Sequence, residues 1–169
     1  MSQQSRQYIE TQQNSREWQL FLHAFAQEFS EKGDVRDLRA LMHQLGRRMA
    51  LLAPVEDGSS LQALENAVNR VWSEMNWGWA ELQEQADALL IMHYVAPLRH
   101  AFGEAAIGWT PALLEGMYAQ WLEKLGMDKS LQLVQRSPED HGRMLTFELR
   151  KAPERFSGPG RSQLADHKK

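Results

Sequence analysis

Apolar residues recur along the chain at two different periods. In the first three quarters they fall at intervals of three and four, the spacing of one face of a helix. Trp18, Phe21, Leu22, Phe25 and Phe29 form the first such stripe. Asn14, with Glu17 three residues later, has the pattern of a capping box in front of it, and Lys32-Gly33 closes it. Asp34 is placed to cap a second helix, whose inner face carries Leu38, Leu41, Met42, Leu45 and Met49 and which Pro54 ends. After the loop VEDGSS, Ser59 and Gln62 suggest another capping box. A third stripe follows at Leu61, Leu64, Val68, Val71 and Met75. Asn76-Trp77-Gly78 breaks it. A fourth stripe, Trp79, Leu82, Ala86, Leu89 and His93, predicts a helix ending at Pro97. Thr110-Pro111 reads as an N-cap followed by proline in the first turn. The fifth helix then carries Leu113, Leu114, Met117, Tyr118, Trp121 and Leu122, with Gly126 as its C-terminal cap.

Beyond Gly126 the period drops to two. SLQLVQR and RMLTFELRK read as strands joined by SPEDHG, with Leu145, Phe147 and Leu149 on one face. An isolated hairpin is marginal in water. It must pack on the helices or join strands of another subunit. The expected fold class is therefore α+β and mainly α, about five helices followed by a C-terminal β-hairpin. Residues 1–13 read as a flexible polar arm, 14–152 as a single domain and 153–169 as a disordered tail.

Composition narrows the function classes. The chain has 169 residues, 43% of them hydrophobic, enough for one domain with a real core. A net charge of −3 argues against a nucleic-acid partner, which calls for a basic footprint. No run approaches the roughly 18 apolar residues of a membrane span. No cysteine is present, so disulfide and thiolate chemistry are excluded, although that leaves the periplasm open. The opening MSQQSRQYIETQQNSREWQ has no apolar signal core. The cytoplasm is therefore the expected location.

Candidate chemistry is sparse. The six histidines make no metal-ligand spacing, and His93, near an apolar face, reads as a structural residue. Glu81, Glu84 and Asp87 read as the solvated face of the fourth helix rather than an acid–base pair. No phosphate loop or nucleophile elbow occurs, and Gly158 and Gly160 follow no strand. No enzyme activity, cofactor or metal is expected. Trp18, Trp72, Trp79 and Trp121 fall on apolar stripes, which favours core or interface over a sugar platform. Trp77 and Trp109 sit at junctions beside glycines, where they would pack a corner or anchor an interface.

Two stretches carry a resemblance. Asn76-Trp77-Gly78 followed by Trp79, and the spaced set Trp109, Pro111, Leu114, Glu115, Gly116, Tyr118 and Trp121, resemble the bacterial cellulose synthase operon protein D family. FLHAF, Phe21 to Phe25, is a weaker match. The resemblance runs from about residue 18 to 150. It implies a non-catalytic scaffold: a homo-octameric cylinder, a tetramer of dimers, with passages for β-1,4-glucan chains. The implied partners are the other synthase components and a disordered proline-rich accessory protein. Trp77, Gly78, Trp109, Pro111, Gly116, Tyr118 and Trp121 would form a core and interface motif. By position, Gln12, Gln13, Asn14 and Arg16 would lie near the glucan passages. The competing class is a small helical adaptor or export chaperone that holds a client peptide.

Overall fold

The computed structural model describes residues 16–136 and 144–152. Its elements follow the order α1 (Arg16–Lys32), α2 (Val35–Leu52), α3 (Leu61–Met75), β1 (Trp79–Glu84), β2 (Leu89–Tyr94), α4 (Leu98–Phe102), a 3-10 turn (Glu104–Ala106), α5 (Ala112–Lys124), β3 (Leu131–Gln135) and β4 (Met144–Lys151). The class is α+β, with helices packed on one four-stranded sheet. The expected arm and tail, and the capping residue Asn14, lie outside the described residues.

Local chemistry explains most boundaries. The Asp34 carboxylate accepts the Arg36 N–H at 2.8 Å and starts α2. The cap of α3 is Ser60, not Ser59: the Ser60 hydroxyl oxygen accepts from the Ala63 N–H, while Ser59 donates its hydroxyl to Asp57. At the end of α3, Asn76 turns left-handed at φ 54° and the Trp77 N–H reaches back to the Trp72 carbonyl at 2.9 Å. That closure stops a helix and redirects the chain. Gly126, at φ 95°, ends α5 in the same manner, with Met127 N–H bonded to the Leu122 carbonyl. Thr110 does not cap α5. It is fully buried, and its hydroxyl donates to the Ala106 carbonyl.

The expected fourth helix is a β-hairpin instead. Trp79 to Glu84 pairs antiparallel with Leu89 to Tyr94, and Gln85 N–H closes the turn on the Ala88 carbonyl. Gln85 to Ala88 make the turn, and Ala80, Leu82, Ile91 and His93 point inward. Pro97, expected to end a helix, precedes α4. The β3–β4 pair forms as the alternation suggests, but β4 is central. The sheet order is β1-β2-β4-β3, antiparallel throughout. The C-terminal hairpin is thus completed by strands of its own chain.

The buried centre is α5, which lies between the sheet and α2. The α2–α5 crossing is set by two glycines. A Cβ on Gly116 would stand 2.0 Å from the His43 carbonyl oxygen, and one on Gly46 would stand 1.9 Å from that of Leu113. Only hydrogen at both positions lets the two backbones meet. By contrast α1 buries Ala26 alone and packs on α4 and the 3-10 turn. Its expected inner face stays open: Trp18, Phe21 and Phe29 are exposed. The stripe predicts a covered face, but within one chain α1 has too small a partner to cover it.

Candidate functional site

The first candidate is a buried aromatic cluster where α3, α5 and the sheet converge. The pitch of α5 sends Tyr118 and Trp121 to the same side, and Trp72 comes to meet them from the last turn of α3. The Trp72 ring lies 5.1 Å from Trp121 and 5.5 Å from Tyr118, both edge-on, and stacks at 6.2 Å on Trp77. Phe147 from β4 closes the set at 5.6 Å from Tyr118.

A chain of hydrogen bonds runs through it. Trp72 Nε1–H donates to the Tyr118 oxygen at 3.0 Å. Tyr118 donates to His93 Nδ1 at 2.7 Å, and His93 Nε2–H donates to the Trp77 carbonyl at 2.7 Å. In this tautomer every donor has an acceptor and no charge is present. Burial drives the His93 pKa down to about 4, opposed by its bond to the Trp77 carbonyl. Burial likewise holds the Tyr118 hydroxyl well above its ordinary value. Both groups are therefore neutral at pH 7, and the wire is a structural clamp: it ties the α3–β1 junction to β2 and α5.

The motif residues fall in two places. Trp77, Gly78, Tyr118 and Trp121 meet in or beside the cluster. Gly78, at φ 83°, brings its backbone so close to Tyr94 that a Cβ would lie 1.9 Å from that carbonyl oxygen. Trp121 Nε1–H also donates to the Ala53 carbonyl after α2. Trp109 and Pro111 are buried at the opposite end of α5. There Trp109 Nε1–H donates to Ser30 Oγ and anchors α1. Arg16 is exposed at the start of α1. Gln12, Gln13 and Asn14 lie outside the described residues.

The second candidate is an open apolar surface. On α1, Trp18, Phe21, Phe25 and Phe29 touch successively along one face, edge-on or tilted, with neighbouring centroids 4.4 to 6.3 Å apart, and all but the half-buried Phe25 are exposed. On α2, Leu41, Leu45 and Leu52 recur at helical spacing and are exposed. Both sheet edges are guarded. On β1, Asn69 of α3 bonds the Ala80 N–H and carbonyl, and Glu65 takes the Leu82 N–H. On β3, the Gln135 N–H goes to Glu115, which also holds Arg39. Strand addition at these positions is blocked.

Catalytic geometry is thin. Glu81 and Glu84 stand on the β1 strand and Asp87 in the following turn, not on a helix. Among the described residues no group of His, Asp and Glu could hold a metal ion, and no helix is long and apolar enough to cross a membrane. An open depression of about 610 Å³ along α3 is lined by Asp57, Asn66, Asn69 and Arg70 among others. Sequence reasoning missed Gly46, Asn69, Glu65 and the His93–Tyr118 link. Gly46 alone left a trace, as a glycine inside a helical stripe.

Comparison with known proteins places this architecture. The family model that describes the D subunit of cellulose synthase matches residues 4–149. The cellulose synthase operon protein D of Komagataeibacter xylinus is 28% identical over 108 residues, covering 63% of this chain and 69% of that one. The protein of the same name from Komagataeibacter sucrofermentans matches equally, and a further Komagataeibacter xylinus sequence is 27% identical over the same shares.

Proposed function

The chain belongs to the family of cellulose synthase D subunits, and on that premise we propose that it is a non-catalytic scaffold of bacterial cellulose synthesis. It assembles with its own copies into a ring or cylinder, a homo-octamer built as a tetramer of dimers, that arranges nascent glucan chains. Its further partners are the other synthase components and a disordered proline-rich accessory protein, and it works in the cytoplasm. Gln12 and Gln13 at the end of the expected arm, with Asn14 and Arg16 just after it, lie near the glucan passages.

One observation carries this reading: the apolar surface of α1 and α2 left open in a single chain. Monomeric proteins rarely leave so continuous an aromatic ridge in water. A self-complementary patch of this kind gives closed symmetric assemblies. The guarded sheet edges direct that association to helix faces and away from strand pairing. Light scattering on the size-exclusion peak tests the proposal. A closed species larger than a dimer is expected, and a monomer at micromolar concentration overturns it.

A further inference from the structure

The apolar stripe predicts a buried Trp79, yet the strand turns it outward, 44% exposed, at the head of edge strand β1. Its indole lies nearly flat against Tyr94 of β2, with centroids 5.4 Å apart and planes at 17°. Glu81 and Gln83 follow on the same face of β1, because side chains alternate across a strand, and both are exposed. The Tyr94 hydroxyl donates to Glu81 Oε2 at 3.2 Å. The carboxylate is thereby fixed beside the ring pair.

The backbone under this pair is unusual. Asn76, Gly78 and Val95 all have positive φ, at 54°, 83° and 58°. Left-handed geometry is a genuine outlier for a β-branched residue such as Val95. Conformations of this kind persist only where the surroundings enforce them, and they gather at ligand-binding sites. Gly78 abuts the Tyr94 carbonyl, and the Trp77 carbonyl is held from beneath by His93. The corner that carries Trp79 is therefore rigid.

We propose that Trp79 and Tyr94, with Glu81 and Gln83, form a stacking platform for a β-1,4-linked glucan chain. A β-linked glucose ring carries its hydroxyls around the rim and only C–H groups on its faces. An indole takes such a face. A carboxylate accepts from rim hydroxyls, and an amide both donates and accepts. The extent also fits. The outer face of the indole, backed by the phenol, spans about one sugar ring, far below the roughly 800 Å² per partner of a stable subunit contact. Surface suited to a second copy lies on α1 and α2, and a protein seated on Trp79 would leave the Glu81 carboxylate to be neutralised. The choice of glucan rests on the proposed function. The site itself is distinct from the arm.

Calorimetric or NMR titration of the full chain with cellohexaose tests this, with α-linked maltohexaose as the control. The wild type should bind cellohexaose and prefer it to maltohexaose. Trp79→Ala should weaken binding about tenfold or more, and Trp79→Phe should keep most of it. Neither substitution should change the mass in solution. Cellohexaose bound equally by Trp79→Ala overturns the inference. So does an intact wild-type assembly that binds no cellohexaose, which leaves the scaffold reading standing. A Trp79→Ala chain with altered mass and unaltered sugar binding makes Trp79 a subunit contact and also overturns it. A wild-type monomer that binds through Trp79 removes the scaffold reading and keeps the platform.

Discussion

Two sets of aromatic rings come from helical apolar stripes in this protein, and they have opposite fates. Trp72, Tyr118 and Trp121 are sealed between helices and sheet, and each of their polar atoms has a partner. Trp18, Phe21 and Phe29 stand in the open. Periodicity alone treats the two alike, because it reports that a face is apolar and not what covers it. The difference lies in polar content. The buried row carries N–H and O–H groups that need fixed geometry, and the fold supplies it. The open row is mostly phenylalanine. It asks only for apolar contact, which another subunit supplies as readily as the chain itself.

The largest break in that comparison comes from the buried side. Gly116→Leu drives a side chain into the His43 backbone, which cannot move aside as a flexible side chain can. Overpacking typically costs about 1–3 kcal/mol, and a backbone contact belongs at or above the top of that range. Urea unfolding should show the loss. A midpoint equal to wild type shows that the α2–α5 crossing is looser than described.

Acid attacks the same cluster. The His93 pKa is about 4 in the folded chain against the ordinary 6.5. Between those values the unfolded chain binds a proton that the folded chain does not. Stability is thus complete above about pH 6.5, falls as the pH drops towards 4 and levels off below. At about 1.4 kcal/mol per pH unit between the two values, the loss is on the order of 3 kcal/mol. Denaturation across that range should be steeper for wild type than for His93→Gln. Equal slopes show that His93 is not the group that titrates.

Tyr118→Phe is a milder test. It removes one oxygen and leaves Trp72 Nε1–H and His93 Nδ1 without their partner. A buried polar group left unpaired costs about 1–3 kcal/mol. The unfolding midpoint should fall while the mass in solution stays unchanged, since no atom of the open surface is touched. A variant as stable as wild type shows that the wire contributes nothing.

The same contrast explains what the sequence revealed. The first, second, third and last long helices and the β3–β4 pair were legible because apolar period and stop signals agree there, whereas of the expected caps Asp34 holds its place and Ser59 and Thr110 do not. The β1–β2 hairpin was not. Trp79, Leu82, Ala86 and Leu89 fit a helical period, and the run is rich in Ala, Glu, Gln and Leu, which favour helix. Distant groups decide for strand: β4 beside β2, and Asn69 and Glu65 holding the β1 edge. Tyr118 and Trp121 stood out by their apolar stripe, and Gly116 by the spaced set that carries the family resemblance. The His93–Tyr118 bond did not, because it depends on the strand register. The openness of Trp18 and Phe21 was equally hidden, since it depends on how short α4 is.

The smallest effect on folding is expected on the open side, and it sharpens the comparison most. Phe21 is 57% exposed, so Phe21→Asp removes little that holds a single chain together. Exposed substitutions of this kind usually stay within about 0.5 kcal/mol. In an assembly the same change places a carboxylate inside an apolar contact, which disfavours association. Association binds only the folded state and therefore raises the melting temperature as protein concentration rises. Wild type should show that dependence, and Phe21→Asp should lose it along with the large species seen by light scattering. Its melting temperature should match the value wild type approaches on dilution. If the variant assembles like wild type, the ridge on α1 is not where copies meet. If it unfolds at every concentration, α1 contributes to the single-chain fold, and the two rows are more alike than their exposure indicates.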